Sequence, residues 1–182
     1  MALFLALLTL GDDTLGEDTA DALTRVHLAA RAAYYGSAAA TPATARQSTQ
    51  QHDYRRMWRA RLTEPGWRLT GAFSDGSLRG FSAAQVPPGD PDAPGQPVHL
   101  AALYVDPGHW GIGIGSLLYD AFETAWRSTA TPAATLEVWS QNHRARVFYA
   151  RRGWELDGRV RPAHAGTDYL GMVLRAHAPD GP

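Results

Sequence analysis

Residues 103–118 read Leu103-Tyr104-Val105-Asp106-Pro107-Gly108-His109-Trp110-Gly111-Ile112-Gly113-Ile114-Gly115-Ser116-Leu117-Leu118. The run changes character at Asp106. Before it, the stretch His99–Val105 has the length and apolar content of a strand. After it, Leu117, Leu118, Ala121, Phe122, Ala125 and Trp126 recur at helical spacing and predict a helix over residues 113–127 with a broad apolar stripe. Between the two stand Gly111, Gly113 and Gly115, three alternate positions without Cβ atoms to block a close approach. The first amides of a helix have no intrahelical partner and lie at the positive end of its dipole. A strand, a glycine turn and a helix in this order suit a phosphate or pyrophosphate group.

The neighbouring residues narrow the choice of phosphate. A Walker-type loop needs Gly-Lys-Ser/Thr, and this chain has no lysine: all 17 basic residues are arginine. A dinucleotide fingerprint running from Gly113 and Gly115 would put its third glycine at 118, where Leu118 stands. Coenzyme A, which also carries a pyrophosphate, remains.

Downstream, residues 136–154 read Leu136-Glu137-Val138-Trp139-Ser140-Gln141-Asn142-His143-Arg144-Ala145-Arg146-Val147-Phe148-Tyr149-Ala150-Arg151-Arg152-Gly153-Trp154. A short strand over 135–140 leads to Asn142, a good N-cap for a helix ending at Arg152 with Gly153 as its C′ residue. Two strands follow, over 155–160 and 168–175. Upstream, five prolines between Pro87 and Pro97 mark an exposed loop, and Ser74-Asp75-Gly76-Ser77 joins strands 67–73 and 78–86 in a hairpin. Residues 50–62 read as a helix with Tyr54, Trp58 and Leu62 on one face, stopped by Pro65-Gly66. The Ala, Ser, Thr and Gly-rich stretch 35–49 reads as a loop. A helix starting near Asp18 or Thr19 carries Leu23, Val26, Ala30 and Ala33 at helical spacing, and residues 3–10 form a first strand. The order is strand, two helices, three strands, helix, strand, helix, two strands. It implies an α+β arrangement around one mixed sheet. A single domain over residues 1–176 with a disordered tail at 177–182 is the expectation.

Composition sets the boundaries. With 182 residues and 45% apolar content the chain suits one domain with one sizeable core. A formal net charge of -1 and the lack of any long basic run argue against a nucleic-acid partner. The absence of cysteine excludes disulfides and thiolate chemistry and fits a cytoplasmic protein. The apolar start, Met1 to Leu10, lacks a positive n-region and is too short to span a bilayer, so no membrane partner is expected. His27, His52, His109, His143, His164 and His177 show no metal-ligand spacing, so no metal site is expected. Ser116 lacks the Gly-x-Ser-x-Gly elbow of serine hydrolases.

The segment from Val98 to Trp154 resembles the GNAT superfamily of N-acetyltransferases. A strand, then Asn142, Ala145, Phe148-Tyr149 and Gly153-Trp154, follows one of its signatures at the family's spacing. Trp110-Gly111-Ile112-Gly113-Ile114-Gly115 is similar to the other, Gln/Arg-x-x-Gly-x-Gly/Ala. It departs from it at Trp110, where the family has Gln or Arg, and at Ile112, where a basic residue is common. Both changes remove a side-chain contact to phosphate and leave the backbone amides. The resemblance implies a GNAT-like fold: a mixed, mostly antiparallel sheet of about 6–7 strands flanked by about four helices.

The resemblance also implies acetyl-CoA as cofactor and roles for particular residues. Backbone groups of Leu103, Tyr104 and Val105 would lie along the pantetheine. The amides of Trp110, Gly111, Ile112, Gly113, Ile114, Gly115 and Ser116 would hold the pyrophosphate. Asn142 would reach the cofactor from the following helix, in competition with its role as N-cap. Tyr149 would protonate the departing thiolate, while Phe148 packs in the core. Many relatives place a Glu base on the central strand; this sequence has His99 there, with Glu137 as a weaker rival and water as a third choice. The acceptor, a small-molecule or peptide amine, would lie against residues 34–49 and 161–167, with Tyr34, Tyr35 and Trp58 as aromatic walls. Arg55, Arg56, Arg59 and Arg61 read as a solvated helix face before a site for an acidic substrate. Family members commonly dimerise, so a homodimer is an expectation of the resemblance alone. The rival reading is a GNAT fold that holds acyl-CoA without catalysis, as a sensor or partner-binding subunit.

Overall fold

In a computed structural model of this chain the described residues are 3–8, 18–35, 44–87, 95–129, 131–163 and 166–176. The expected strand end at 9–10, part of the Ala-rich connection, the middle of the proline loop, His164, His177 and the tail 177–182 lie outside them. The elements are β1 (Leu3–Leu7), α1 (Thr19–Tyr35), α2 (Thr44–Thr63), β2 (Trp67–Ser74), β3 (Ser77–Gln85), β4 (Val98–Val105), a 3-10 turn (Pro107–His109), α3 (Ile114–Arg127), β5 (Ala133–Trp139), α4 (His143–Ala150), β6 (Glu155–Pro162) and β7 (Asp168–Arg175). One 7-stranded sheet runs in the order β1-β2-β3-β4-β5-β7-β6. β1 pairs antiparallel with β2, β4 parallel with β5, and β7 antiparallel with both β5 and β6. The sheet is mixed, as the element order implied, and mostly antiparallel with four α-helices among the described residues, as the resemblance implied.

The largest boundary difference is in α2. α2 begins at Thr44, so residues 44–49 are helical where a loop was expected. Ser48 through Asp53 are all exposed, so no apolar periodicity marks this part of the helix. The hairpin is as expected: Asp75 and Gly76 adopt φ 52 and 70, the left-handed torsions of a two-residue turn.

The chain forms two compact units, Met1–Ala84 with Ala102–Glu123, and Gln85–Ala101 with Thr124–Pro182. In the first, Leu23 and Val26 of α1, Trp58 of α2, Leu69 and Phe73 of β2 and Leu78 and Phe81 of β3 make one core cluster. Ala30 is buried as expected, whereas Ala33 is exposed. Ile114 and Leu118 of α3 pack with Ala72 in a second cluster, which seats the start of that helix. In the second unit, Ala134, Leu136 and Val138 of β5 are buried, and Thr135 and Glu137 alternate with them on the other face. Met172 and Leu174 of β7 are buried likewise, and β6 is an exposed edge strand.

Close approach of strands in the first unit depends on Gly80. A Cβ there would lie 2.9 Å from the Tyr104 carbonyl oxygen and 3.1 Å from Ile114 Cγ2 and from Leu118 Cδ1. The first neighbour is backbone and yields only if β4 moves. Gly80→Ala is therefore expected to destabilise by about 1–3 kcal/mol, seen as a fall of several degrees in thermal unfolding. An unchanged melting temperature would show that β4 shifts at no cost.

Candidate active site

The glycine turn belongs to the first unit and is organised by its own side chains. The Gly108 N–H donates to Asp106 Oδ1 at 3.3 Å, and His109 Nδ1 lies 3.2 Å from Asp106 Oδ2. The Trp110 N–H donates to the Pro107 carbonyl at 3.3 Å, and its indole Nε1–H donates to the Val105 carbonyl at 2.8 Å. Gly111 and Gly113 then adopt φ 87 and 94, a region that side chains rarely enter. The first hydrogen bond of α3 runs from the Leu117 N–H to the Gly113 carbonyl at 3.0 Å. The amides of Ile114 and Gly115 precede that bond, so the helix itself cannot satisfy them. Gly111, Ile112 and Gly113 are exposed, whereas the Ile114 side chain is buried and anchors the helix start.

Leu103, Tyr104 and Val105 are half-buried at the end of β4. The Tyr104 ring stacks on His27 with centroids 4.5 Å apart and planes 16° apart, and Phe81 meets it edge-on at 5.6 Å. His27 is only 4% exposed. Its Nδ1 accepts from the Trp58 indole N–H at 3.2 Å, and the Tyr54 ring lies 4.2 Å away. Burial first, and Arg31 second, push its pKa from 6.5 down to about 3. The imidazole is therefore neutral near pH 7, and acceptance at Nδ1 puts its proton on Nε2. The sequence reading gave His27 no role beyond its lack of metal spacing. The available signal was its place four residues after Leu23, on the same helix face. Trp58, expected as a wall of the acceptor site, is buried beside His27 and Phe81 and belongs to the core.

In the second unit, Asn142 caps α4: its Oδ1 accepts from the Ala145 N–H at 3.1 Å. The helix ends at Ala150, two residues sooner than expected, and Gly153 follows with φ 83. Tyr149 is the buried residue of this helix, edge-on to Phe148 at 5.3 Å and to Trp154 at 5.8 Å. Phe148, expected in the core, is half-buried, with the Arg152 guanidinium 3.7 Å from its ring centre. His99 is half-buried on β4 and in parallel register with Thr135, whose Oγ1 lies 3.2 Å from His99 Nδ1. Glu137, two residues further along β5, accepts from Arg161 Nε at 3.0 Å and Nη2 at 2.5 Å. Those hydrogen bonds hold the Glu137 carboxyl below its ordinary range against the opposing effect of burial, with the charges of Arg161, His99 and Arg159 adding to them. A carboxylate held this way is a poorer proton acceptor.

Four arginines of α2 have partners. Arg55 Nε lies 2.6 Å from Asp21, Arg59 3.8 Å from Asp18 and Arg56 3.5 Å from Asp53. Arg61 stacks 3.8 Å over the Trp67 ring. The solvated face expected from the sequence holds for Arg56 and Arg59, which are exposed, whereas Arg61 is half-buried; the ion pairs were not foreseen. Tyr34 is half-buried in the last turn of α1. Among the described residues no three His, Cys, Asp or Glu side chains gather as a metal-binding group, and no helix is long and apolar enough to cross a membrane.

Residues 31–154 match the acetyltransferase (GNAT) family. An uncharacterized N-acetyltransferase of Mycobacterium tuberculosis is 31% identical over 116 residues, which cover 60% of this chain and 68% of that protein. Its Mycobacterium bovis counterpart matches to the same extent. The structure of the PaiA N-acetyltransferase of Thermoplasma acidophilum in complex with coenzyme A superposes with a TM-score of 0.72 at 18% identity, covering 97% of this chain and 100% of that one. The ribosomal-protein-S18-alanine N-acetyltransferase of Escherichia coli superposes with a TM-score of 0.66 at 18% identity, covering 98% and 97%. Family match and fold together define an acyltransferase of the N-acetyltransferase class. The chain belongs to the acetyltransferase (GNAT) family.

Proposed function

We propose that this enzyme moves an acetyl group from acetyl-CoA to a primary amine of a small molecule or peptide, directly, in a ternary complex. The observation that carries the reading is the start of α3, where the amides of Ile114 and Gly115 precede the first intrahelical bond beside an exposed turn without side chains at Gly111 and Gly113. Such a helix start favours an anion. The coenzyme A held by the Thermoplasma acidophilum structure supports the same ligand here.

In this proposal the amides after Trp110, from Gly111 to Ser116, hold the pyrophosphate, since the Trp110 N–H expected among them is engaged by the Pro107 carbonyl; backbone groups of Leu103, Tyr104 and Val105 line the pantetheine. A backbone N–H in that strand stabilises the oxyanion. The amine nitrogen attacks the thioester carbonyl, the N–C bond forms and the C–S bond breaks. His99 accepts the amine proton; Glu137, already engaged by Arg161, is the weaker candidate. Tyr149 gives its phenolic proton to the leaving thiolate. Asn142 has spent its Oδ1 on the helix cap, so the side-chain NH2 is the group it offers the cofactor. Residues 1–176 act as one domain in this reading, for which the support is that β4 and α3 each contribute residues to both units. The cysteine-free composition supports a cytoplasmic location.

The test is calorimetric titration with acetyl-CoA, followed by release of free CoA with a panel of amines. Binding with no turnover on any amine would favour a module that only holds CoA. No binding would remove the cofactor assignment. Tyr149→Phe is expected to lower kcat by about 10²–10⁴-fold with cofactor affinity unchanged. Wild-type turnover in that variant, with chemistry rate-limiting, would remove the acid role.

A further inference from the structure

We propose that Trp110 is a positioning residue of the glycine turn: its indole, bonded to the Val105 carbonyl, ties the turn to the end of β4 and presets the amides that follow. The proposal rests on the cofactor reading above and assigns a device within it. The indole N–H reaches Val105 at 2.8 Å across Asp106, Pro107, Gly108 and His109, and closes a ring of chain around the 3-10 turn. The ring is braced inside by the Asp106 carboxylate on the Gly108 N–H and by the Trp110 N–H on the Pro107 carbonyl. The Asp106 N–H in turn donates to the Arg79 carbonyl at 2.8 Å, which fixes the upstream end to β3. Immediately after Trp110 come Gly111 and Gly113, both at positive φ and both with open space where a Cβ would be. Neither side-chain packing nor torsional preference holds these two residues in place; the Gly113 carbonyl is bonded to the Leu117 N–H, and the rest of the hold comes from anchors on either side. Downstream the anchor is the buried side chain of Ile114. Upstream it is the Trp110 indole.

The arrangement explains how a turn with no charged side chain on its exposed segment can still take an anion. Ile112 is 64% exposed, and no arginine falls between Asp106 and Ser116. Recognition then depends on amides whose directions are fixed beforehand, because ordering a loose turn on binding subtracts from affinity. Trp110 thus takes no phosphate oxygen itself and acts through the amides from Gly111 to Ser116.

The test is Trp110→Phe, which keeps an aromatic ring and removes the N–H donor, with two readouts. In the ligand-free protein, hydrogen exchange of the bonded amides that flank the glycines, His109, Trp110 and Leu117, is expected to accelerate about tenfold relative to wild type, the loss of one net hydrogen bond, with the core strands unchanged. In calorimetry the coenzyme A dissociation constant is expected to rise about tenfold for the same reason. Unchanged exchange in the turn would overturn the tether, whatever happens to affinity. Faster exchange with unchanged affinity in a wild-type-like binder would overturn its role in positioning. A uniform acceleration across the first unit would also overturn it, by showing a general loss of stability. Failure of the wild-type protein to bind coenzyme A would strike the cofactor reading instead, and would leave the exchange result to judge the tether. Should Trp110→Phe misfold, Trp110→Tyr, carried through both readouts, decides by the same outcomes.

Discussion

Acidification from pH 6.5 to pH 5 is expected to cost this protein about 2 kcal/mol of stability through His27, at about 1.4 kcal/mol per pH unit. The folded protein holds the imidazole neutral down to about pH 3, whereas the unfolded chain protonates it near 6.5. Below 6.5 the unfolded state therefore binds a proton that the folded state refuses. The contribution is fully present above pH 6.5 and is lost as the pH falls towards about 3. The window down to pH 5 lies above the ordinary range of Glu137 and Asp157, whose carboxyls are held lower still by Arg161 and Arg159 respectively. His27→Phe keeps a ring between Tyr104 and Tyr54 and removes the titration. It also leaves the buried Trp58 indole N–H without its acceptor, a cost of about 1–3 kcal/mol at every pH. Denaturant unfolding of both proteins at pH 5, 6 and 7 separates the two effects. The variant should start lower and stay flat; parallel profiles would show that His27 is protonated in the folded state after all.

Gly113→Glu is expected to weaken coenzyme A binding by more than about a hundredfold, the loss of most of a charge-assisted contact set, while the protein stays folded. Nothing lies within 4 Å of a Cβ at this position, so the substitution creates no clash. Its cost to the fold is torsional: φ 94 in a residue other than glycine costs about 1–3 kcal/mol. Its cost to binding is the carboxylate placed beside the amides that would hold pyrophosphate. Gly113→Ala carries the torsional cost without the charge and is the control. Calorimetry and thermal unfolding of the three proteins check this, since wild type saturated at about 100 times the dissociation constant should gain about 2.7 kcal/mol. Near-wild-type affinity in Gly113→Glu would move the pyrophosphate away from this turn.

Much of this was legible before any coordinates. The glycine turn, the capped helix at Asn142 and the Asp75-Gly76 hairpin follow local rules, and local rules are what sequence carries. The start of α2 was not legible because residues 44–53 contain a single apolar residue, Ala45, and a helix without an apolar stripe leaves no period to detect. Phe148 and Tyr149 are neighbours on a short helix, some 100° apart around its axis, and composition alone does not say which one turns inward. Trp58 and His27 were missed as a pair because their hydrogen bond joins residues 31 positions apart. The partner of the Trp110 indole was missed for a different reason. Family resemblance framed position 110 as a lost phosphate ligand, and a side chain considered only for what it lacks is not examined for what it holds.

Arg161 has one further consequence. It stands on β6, the outermost strand of its unit, yet its guanidinium passes the intervening strand β7, lies 4.4 Å over the Tyr169 ring there and grips Glu137 on β5. Beside it β7 presents Gly171 opposite Glu137, and the space a Cβ would fill there is taken by Asp157 and the Arg159 side chain. The margin of the sheet is thus buckled by charge across its neighbour, in addition to being laced by backbone. Dissolved ions weaken the buckle and leave the lacing almost untouched. Fraying of this margin therefore answers to the electrolyte, and the strands inside it do not.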